Sequence, residues 1–535
     1  MRDSLPGGGT RVFDIPLAAG EHGVLTVIGT TTNFNLRVVD DRDAVLHEAW
    51  IFHTERQRAL PFFAEDRPLR VKVRSLATEF PEFAAEFPPG SFELRLDTLS
   101  RDSAQAEARR LRAAVAWAAA ALRPLAAVQA GAGFDDLRHL HDVLRDVRIV
   151  GLGEATHGTR EFFQAKHRLI EFLVSELGFT VVAFEMDAGA AEVLDEYIRG
   201  GPGELREVVA SQGMWQFNSE EVVDLVAWLR DWNARLPEER RVRLVGFDFQ
   251  VAERGRLELL RYLERVAPER VARTDSLLRQ LVRQPRAEGP PAVAYYTLGD
   301  ARRDSVAAAV NELLGYLVLN EGIFVRATSA AAYGGALAAA RCFAQFTHTH
   351  ARATYATDRI DSGVATRSRY MAENVLRLLD ESAGARVIAW AHNGHVRADP
   401  YTMGFFLRER LGGAYYAVGL GFDRGGFRAL ELTASRPPAM KDTFVDPAYQ
   451  QSMGWLLRRA GGGNGFLDLR AAPRAGPAAE WLAQPRDMRS VGNGYIVWNP
   501  SGYLAIAIAP LQSFDGILFI EQTTPAVANT VSHLR

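Results

Sequence analysis

The chain has 535 residues, 47% of them apolar and 24% charged, and a formal net charge of −3. That length asks for two or three domains, and the composition is that of a globular protein rather than a disordered or fibrous one. The charge balance offers no electrostatic attraction to nucleic acid or to an anionic membrane, and one cysteine, Cys342, excludes an internal disulfide. The longest apolar run, 113–122, is about half of the roughly 20 residues that a membrane-spanning helix needs. No apolar signal segment opens the chain, so a cytoplasmic location is expected.

Residues 1–9 read as a flexible leader. Short alternating runs follow at 12–17, 23–28, 34–39, 69–73 and 91–96, separated by turn residues. Such spacing predicts a small all-β sandwich module over 1–98. Residues 103–146 read as helical, with a break at Pro124. From 147 the pattern alternates. Strands are expected at 147–152, 180–184, 242–247, 386–391 and 415–420. Helices are expected at 160–177, 188–199, 219–235, 254–283, 299–321, 330–348 and 364–381. This alternation predicts an α/β domain over 99–535, with a mostly parallel central sheet flanked by helices. The block at 254–348 is too long for one crossover and reads as a helical insertion or cap. Two late runs, 504–508 and 516–520, read as closing strands of the same sheet.

Groups able to do acid–base work fall at the carboxyl ends of the expected strands, where open α/β sheets bind ligands. Glu154 and His157 stand three apart in a turn that contains Gly151, Gly153 and Gly158. An imidazole there can take a proton from water, and a nearby carboxylate would fix its tautomer. Helix capping by Glu154 and Thr156, with His157 bonded to a loop, explains the same residues. Glu185 and Asp248 end two further strands. Asp187 is the better N-cap for the helix after Glu185. His392 and His395 flank Asn393-Gly394 after the 386–391 strand, in a turn suited to presenting both rings. His348 and His350 read as surface or lid residues, and His22, His47, His53 and His533 as lacking catalytic partners. Tyr295, Tyr296 and Phe324 are candidate pocket-lining residues, with core packing as the plainer explanation. Three histidines with several carboxylates keep a Zn²⁺, Mn²⁺ or Fe²⁺ site open, although no H-E-x-x-H occurs. Gly151-x-Gly153 lacks the third glycine of a dinucleotide fingerprint, and no G-x-S-x-G elbow is present.

Several motifs in order complete the picture. They are Gly153-Glu154-Ala155-Thr156-His157-Gly158-Thr159-Arg160-Glu161-Phe162, Gly178-Phe179 with Glu185, and Gln212-x-x-Trp215. Glu221-Val222, Gly246-Phe247-Asp248-x-Gln250, Met371-Ala372-Glu373-Asn374 and Ala391-His392-Asn393-Gly394-His395 follow. Together, over about 105–525, the chain resembles the erythromycin esterase family. The resemblance implies an α/β fold and hydrolysis of a macrolide lactone or another small ester. It implies His157 as general base, Glu154 and Glu185 as orienting and polarising groups, and His392 and His395 as oxyanion or proton-transfer groups. Lys166 is the nearest match to a basic residue in the first helix, where an arginine is expected. Arg367 supplies a second positive group, and Asp248 and Trp215 complete the substrate side. The resemblance implies no metal and no cofactor. A metal- or haem-binding protein of the same fold without esterase activity is the rival reading, and an exported binding protein a third. A small-molecule substrate is the one partner expected, and oligomeric state is not legible.

Overall fold

A computed structural model describes the chain except residues 1, 6–8, 19–20, 31–32, 52–56, 65–66, 80–88, 251–252, 285–291, 351–359, 382–383, 433–437, 497–504 and 532–535. His53, His533 and position 504 therefore lie outside the described residues. The chain forms two compact units. One comprises Met1–Leu125, Ala155–His157 and Gly421–Pro525; the other comprises Ala126–Glu154, Gly158–Leu420 and Ala526–Arg535.

In the first unit the expected alternation forms two four-stranded antiparallel sheets. One runs in the order Arg2–Leu5, Gly90–Thr98, His22–Thr30, Gln57–Phe63; the other runs Thr10–Ile15, Leu69–Ser75, Phe34–Val39, Val45–Ile51. Their inward residues, among them Leu25, Phe34, Leu36, Phe62 and Val73, share one core. The leader reading needs correction at Arg2–Leu5, which is a strand paired with Gly90–Thr98. Leu5 enters the core and Arg2 pairs with Glu93 at 2.6 Å, a partner 91 residues away that local composition does not show. Gln450 fastens this module to the later part of the unit: its side chain accepts from Phe63 N and its N–H donates to Leu46 O.

The two late runs part company. Gly516–Thr523 joins the large sheet beside Gly465–Asp468, but Ala505–Ile508 pairs only with Arg486–Arg489 in a separate ribbon. Alternation marks a segment as extended without naming its neighbour.

The second unit holds the parallel sheet. Its strand order is Arg243–Asp248, Val181–Asp187, Val387–Trp390, Ile149–Leu152 and the first residues of Tyr415–Leu432. The three inner strands are buried along their whole length, as continuous apolar runs in a doubly covered sheet should be. Helices Arg160–Ser175, Ala188–Ile198, Glu220–Asn233 and Ile360–Asp380 connect them. The long helix expected over 254–283 is divided. Glu253–Val266 ends before Pro268, which cannot continue the hydrogen-bond ladder, and Val271–Leu278 follows. Asp300–Leu319, Glu321–Ala327 and Ala330–His350 complete the helical block. Cys342 Sγ on the last of these lies 3.7 Å from Asp248 O, so this helix covers the carboxyl end of the Arg243–Asp248 strand. Among the described residues no single helix is long and apolar enough to cross a membrane.

Candidate active site

The site is built at the carboxyl ends of adjacent parallel strands. Register between Val181–Asp187 and Arg243–Asp248 shifts between Phe184 and Asp187, so Glu185 sits within an irregularity that re-aims its side chain. Asp187 caps the following helix by accepting from Gly189 N at 2.9 Å, which leaves Glu185 available for other contacts. Gly246 lets the neighbouring strand approach, since a Cβ there would meet Met186 O and Asp187 O. Gly153 plays the same part at the first turn, where a Cβ would collide with Asn393 Oδ1. Asn393 in turn binds Leu420 through both amide atoms, at 2.8 and 3.0 Å, and its N–H donates to Glu154 O at 2.8 Å.

Two groups of side chains result. In the first, Glu154 Oε2 accepts from Lys166 Nζ at 2.6 Å and from Trp390 Nε1 at 2.9 Å. All three are buried, and Lys166 Nζ also lies 4.3 Å from the Trp390 ring centre. Burial pulls the Lys166 ammonium down to about 8, against the opposing pull of Glu154 and Glu185.

In the second group Arg367 reaches Asp248 through Nε at 3.1 Å and Nη2 at 2.5 Å, and Glu185 through Nη2 at 3.3 Å. Gln250 donates to the same Asp248 oxygen at 2.7 Å. Glu185 Oε2 accepts from His392 N at 2.8 Å, and Glu185 Oε1 lies 3.2 Å from His395 Nε2. Burial disfavours the Arg367 charge, but Asp248 and then Glu185 outweigh it, and the guanidinium is held well above its ordinary value.

The two histidines of the turn play different parts. His392 is the N-cap of Asn393–Val396, and its Nδ1 accepts from Gly394 N at 3.1 Å. That bond places the proton of the neutral ring on Nε2. His395 points its Nε2 at Glu185 and Arg367, while its Nδ1 is buried without a hydrogen bond.

Thus Glu154 and Lys166 meet, and so do Glu185, Asp248, Arg367 and His395. His157 is buried, 7% exposed, in the turn after Glu154. The helix after that turn has Thr159 as N-cap, without a side-chain capping bond, so Glu154 does not serve as its cap. Trp215 is half-buried in the short helix Trp215–Phe217. Tyr295 and Phe324 are buried, whereas Tyr296 is 51% exposed. His350 stacks on Tyr296 and Phe346, and burial lowers its imidazole to about 4. Trp390 was not singled out by sequence. Its signal was an indole at the end of an otherwise aliphatic strand. Among the described residues no group of three or more His, Cys, Asp or Glu is arranged to hold a metal ion.

The erythromycin esterase family model matches residues 174–523. The chain belongs to the erythromycin esterase family. The Escherichia coli protein named erythromycin esterase type II is 23% identical over 438 residues, which cover 73% of this chain and 93% of that protein. A solved succinoglycan biosynthesis protein shares the fold, with TM-score 0.64, 24% identity and coverage of 78% of this chain and 98% of the other. An erythromycin esterase mutant solved in its open conformation aligns with TM-score 0.58, 18% identity and coverage of 75% and 96%. The fold expected from sequence, an α/β domain with a mostly parallel sheet and an amino-terminal β module, is the one observed. Family membership supports a hydrolase.

Proposed function

We propose that this protein hydrolyses a carboxylic ester or lactone of a small molecule, by attack of a water activated by His157. The observation that carries the reading is the fixed set of charges at the strand ends: Glu154 with Lys166, and Glu185 and Asp248 with Arg367. These groups are held before substrate arrives. Ester hydrolysis builds negative charge on the carbonyl oxygen, and such preorganised donors stabilise it with little rearrangement.

The family pattern assigns the base to His157. Glu154 and Glu185 orient the water and the imidazole. His392, with its proton on Nε2, donates to the developing oxyanion, and His395 moves a proton between Glu185 and the leaving alcohol. Lys166, Arg367, Asp248 and Trp215 hold the polar parts of the substrate. Arg367 supplies the positive charge that the Glu185–Asp248 pair needs, so the arrangement works without a metal, and activity should survive chelation.

The test is a panel of esters, simple lactones and macrolactones, with wild type beside His157→Ala. Loss of the base should cut turnover by about 10²–10⁴-fold while leaving the fold intact. Undiminished turnover in a folded His157→Ala protein would remove the mechanism.

A further inference from the structure

Trp390 has a role that packing alone does not explain. Its strand, Val387–Trp390, is otherwise aliphatic, and its ring is fully buried against Phe163, Phe184 and Phe217. A phenylalanine could take up much of that packing. The indole adds one polar atom, and that atom is used: Nε1–H donates to Glu154 Oε2 at 2.9 Å. A buried indole usually finds such a partner, so the choice of partner carries the information. Here the partner is a carboxylate at the strand ends, not a nearby backbone carbonyl.

The same ring also serves Lys166. The ammonium lies 4.3 Å from the ring centre and 2.6 Å from the same carboxylate oxygen. One indole therefore binds a cation through its face and an anion through its edge. Both bonds fall on Oε2, which fixes the rotation of the carboxylate about its last bond and so the direction of its other oxygen. A cation over a dry aromatic face is stabilised more than in water, so the ring also helps to keep the buried lysine charged.

We infer that Trp390 is a positioning residue, which sets the orientation and charge of Glu154 through its indole N–H. This rests on the proposed role of Glu154 in orienting the attacking water. A hydrogen bond to a charged group that is lost in the transition state lowers rate with little effect on binding.

Two measurements on the full chain test it. The first is the ¹⁵N-indole spectrum of the nine tryptophans, with Trp390→Phe assigning the signal. In Glu154→Gln the Trp390 indole proton should move upfield, because a neutral acceptor binds it more weakly. The second is kinetic. Trp390→Phe should lower kcat by about 10- to 100-fold, with KM within about twofold and the thermal midpoint nearly kept. An indole signal indifferent to Glu154→Gln overturns the inference, and so does an unchanged kcat in a folded Trp390→Phe protein. Should that variant fail to fold, the indole signal in Glu154→Gln decides. Should wild type turn over no ester, the hydrolase reading falls, and the same signal still decides whether Trp390 holds Glu154.

Discussion

Lys166 meets two opposed demands. Full burial disfavours its charge, whereas Glu154, 2.6 Å away, requires it. The outcome is an ammonium that titrates at about 8. Below that pH the Lys166–Glu154 pair is charged and Glu154 is compensated. As pH rises through about 8 the lysine loses its proton and leaves the carboxylate without its cation. Ester hydrolysis should therefore decline on the alkaline side near pH 8, and Lys166→Arg, which stays charged, should move that limb upward. A pH profile of kcat for both proteins checks this. Stability has the opposite sign. The folded state holds this proton more weakly than the unfolded chain, so the cost of burying the charge is fully present below about 8. It is relieved as pH rises towards the ordinary lysine value, about 10.4.

Arg367 shows what a buried pair does when one member is removed. Asp248 is fully buried and Glu185 nearly so. Arg367→Met would leave both carboxylates uncompensated, and removal of one partner from such a pair costs about 3–5 kcal/mol. Urea unfolding should show a loss of that order. A loss below about 1 kcal/mol would mean that the guanidinium is not what balances them. Sequence showed Glu185 and Asp248 as acids ending apolar strands. It could not show Arg367 by spacing, because a position within a helix does not reveal which strand end it faces. Resemblance alone brought Arg367 forward, and the structure supplies its partners.

At the scale of elements, the turn after Ile149–Leu152 depends on close backbone approach. Asn393 ties this turn to Tyr415–Leu432 and to Glu154, and Gly153 leaves room for its amide. Gly153→Ala would place a methyl against Asn393 Oδ1 and 2.8 Å from Val418 O. Overpacking of this kind costs about 1–3 kcal/mol. The variant should be less stable by that amount in thermal or urea unfolding, and less active because Glu154 moves. Equal stability would show that the turn yields more readily than the packing implies. The strands of the parallel sheet were legible because each is a short apolar run closed by an acid, a glycine turn or a histidine pair. Their ends shifted by a residue or two. The shift between Phe184 and Asp187 was not legible, since it arises from pairing with a distant strand. Arg2–Leu5 and the separate ribbon of Ala505–Ile508 escaped for the same reason: their partners are far away in sequence.

For the whole molecule, the central claim is chemical. Family, fold and a preorganised set of charges point to water attack on an acyl carbon, and relatives of the same fold bear different names, so the fold leaves the substrate open. The site's chemistry can be tested on any ester that the panel turns over. Hydrolysis in H₂¹⁸O, followed by mass spectrometry of both products after a single turnover, tests it most directly. The account predicts one ¹⁸O in the carboxylate product and none in the alcohol. Label in the alcohol, or an unlabelled acid, would contradict it.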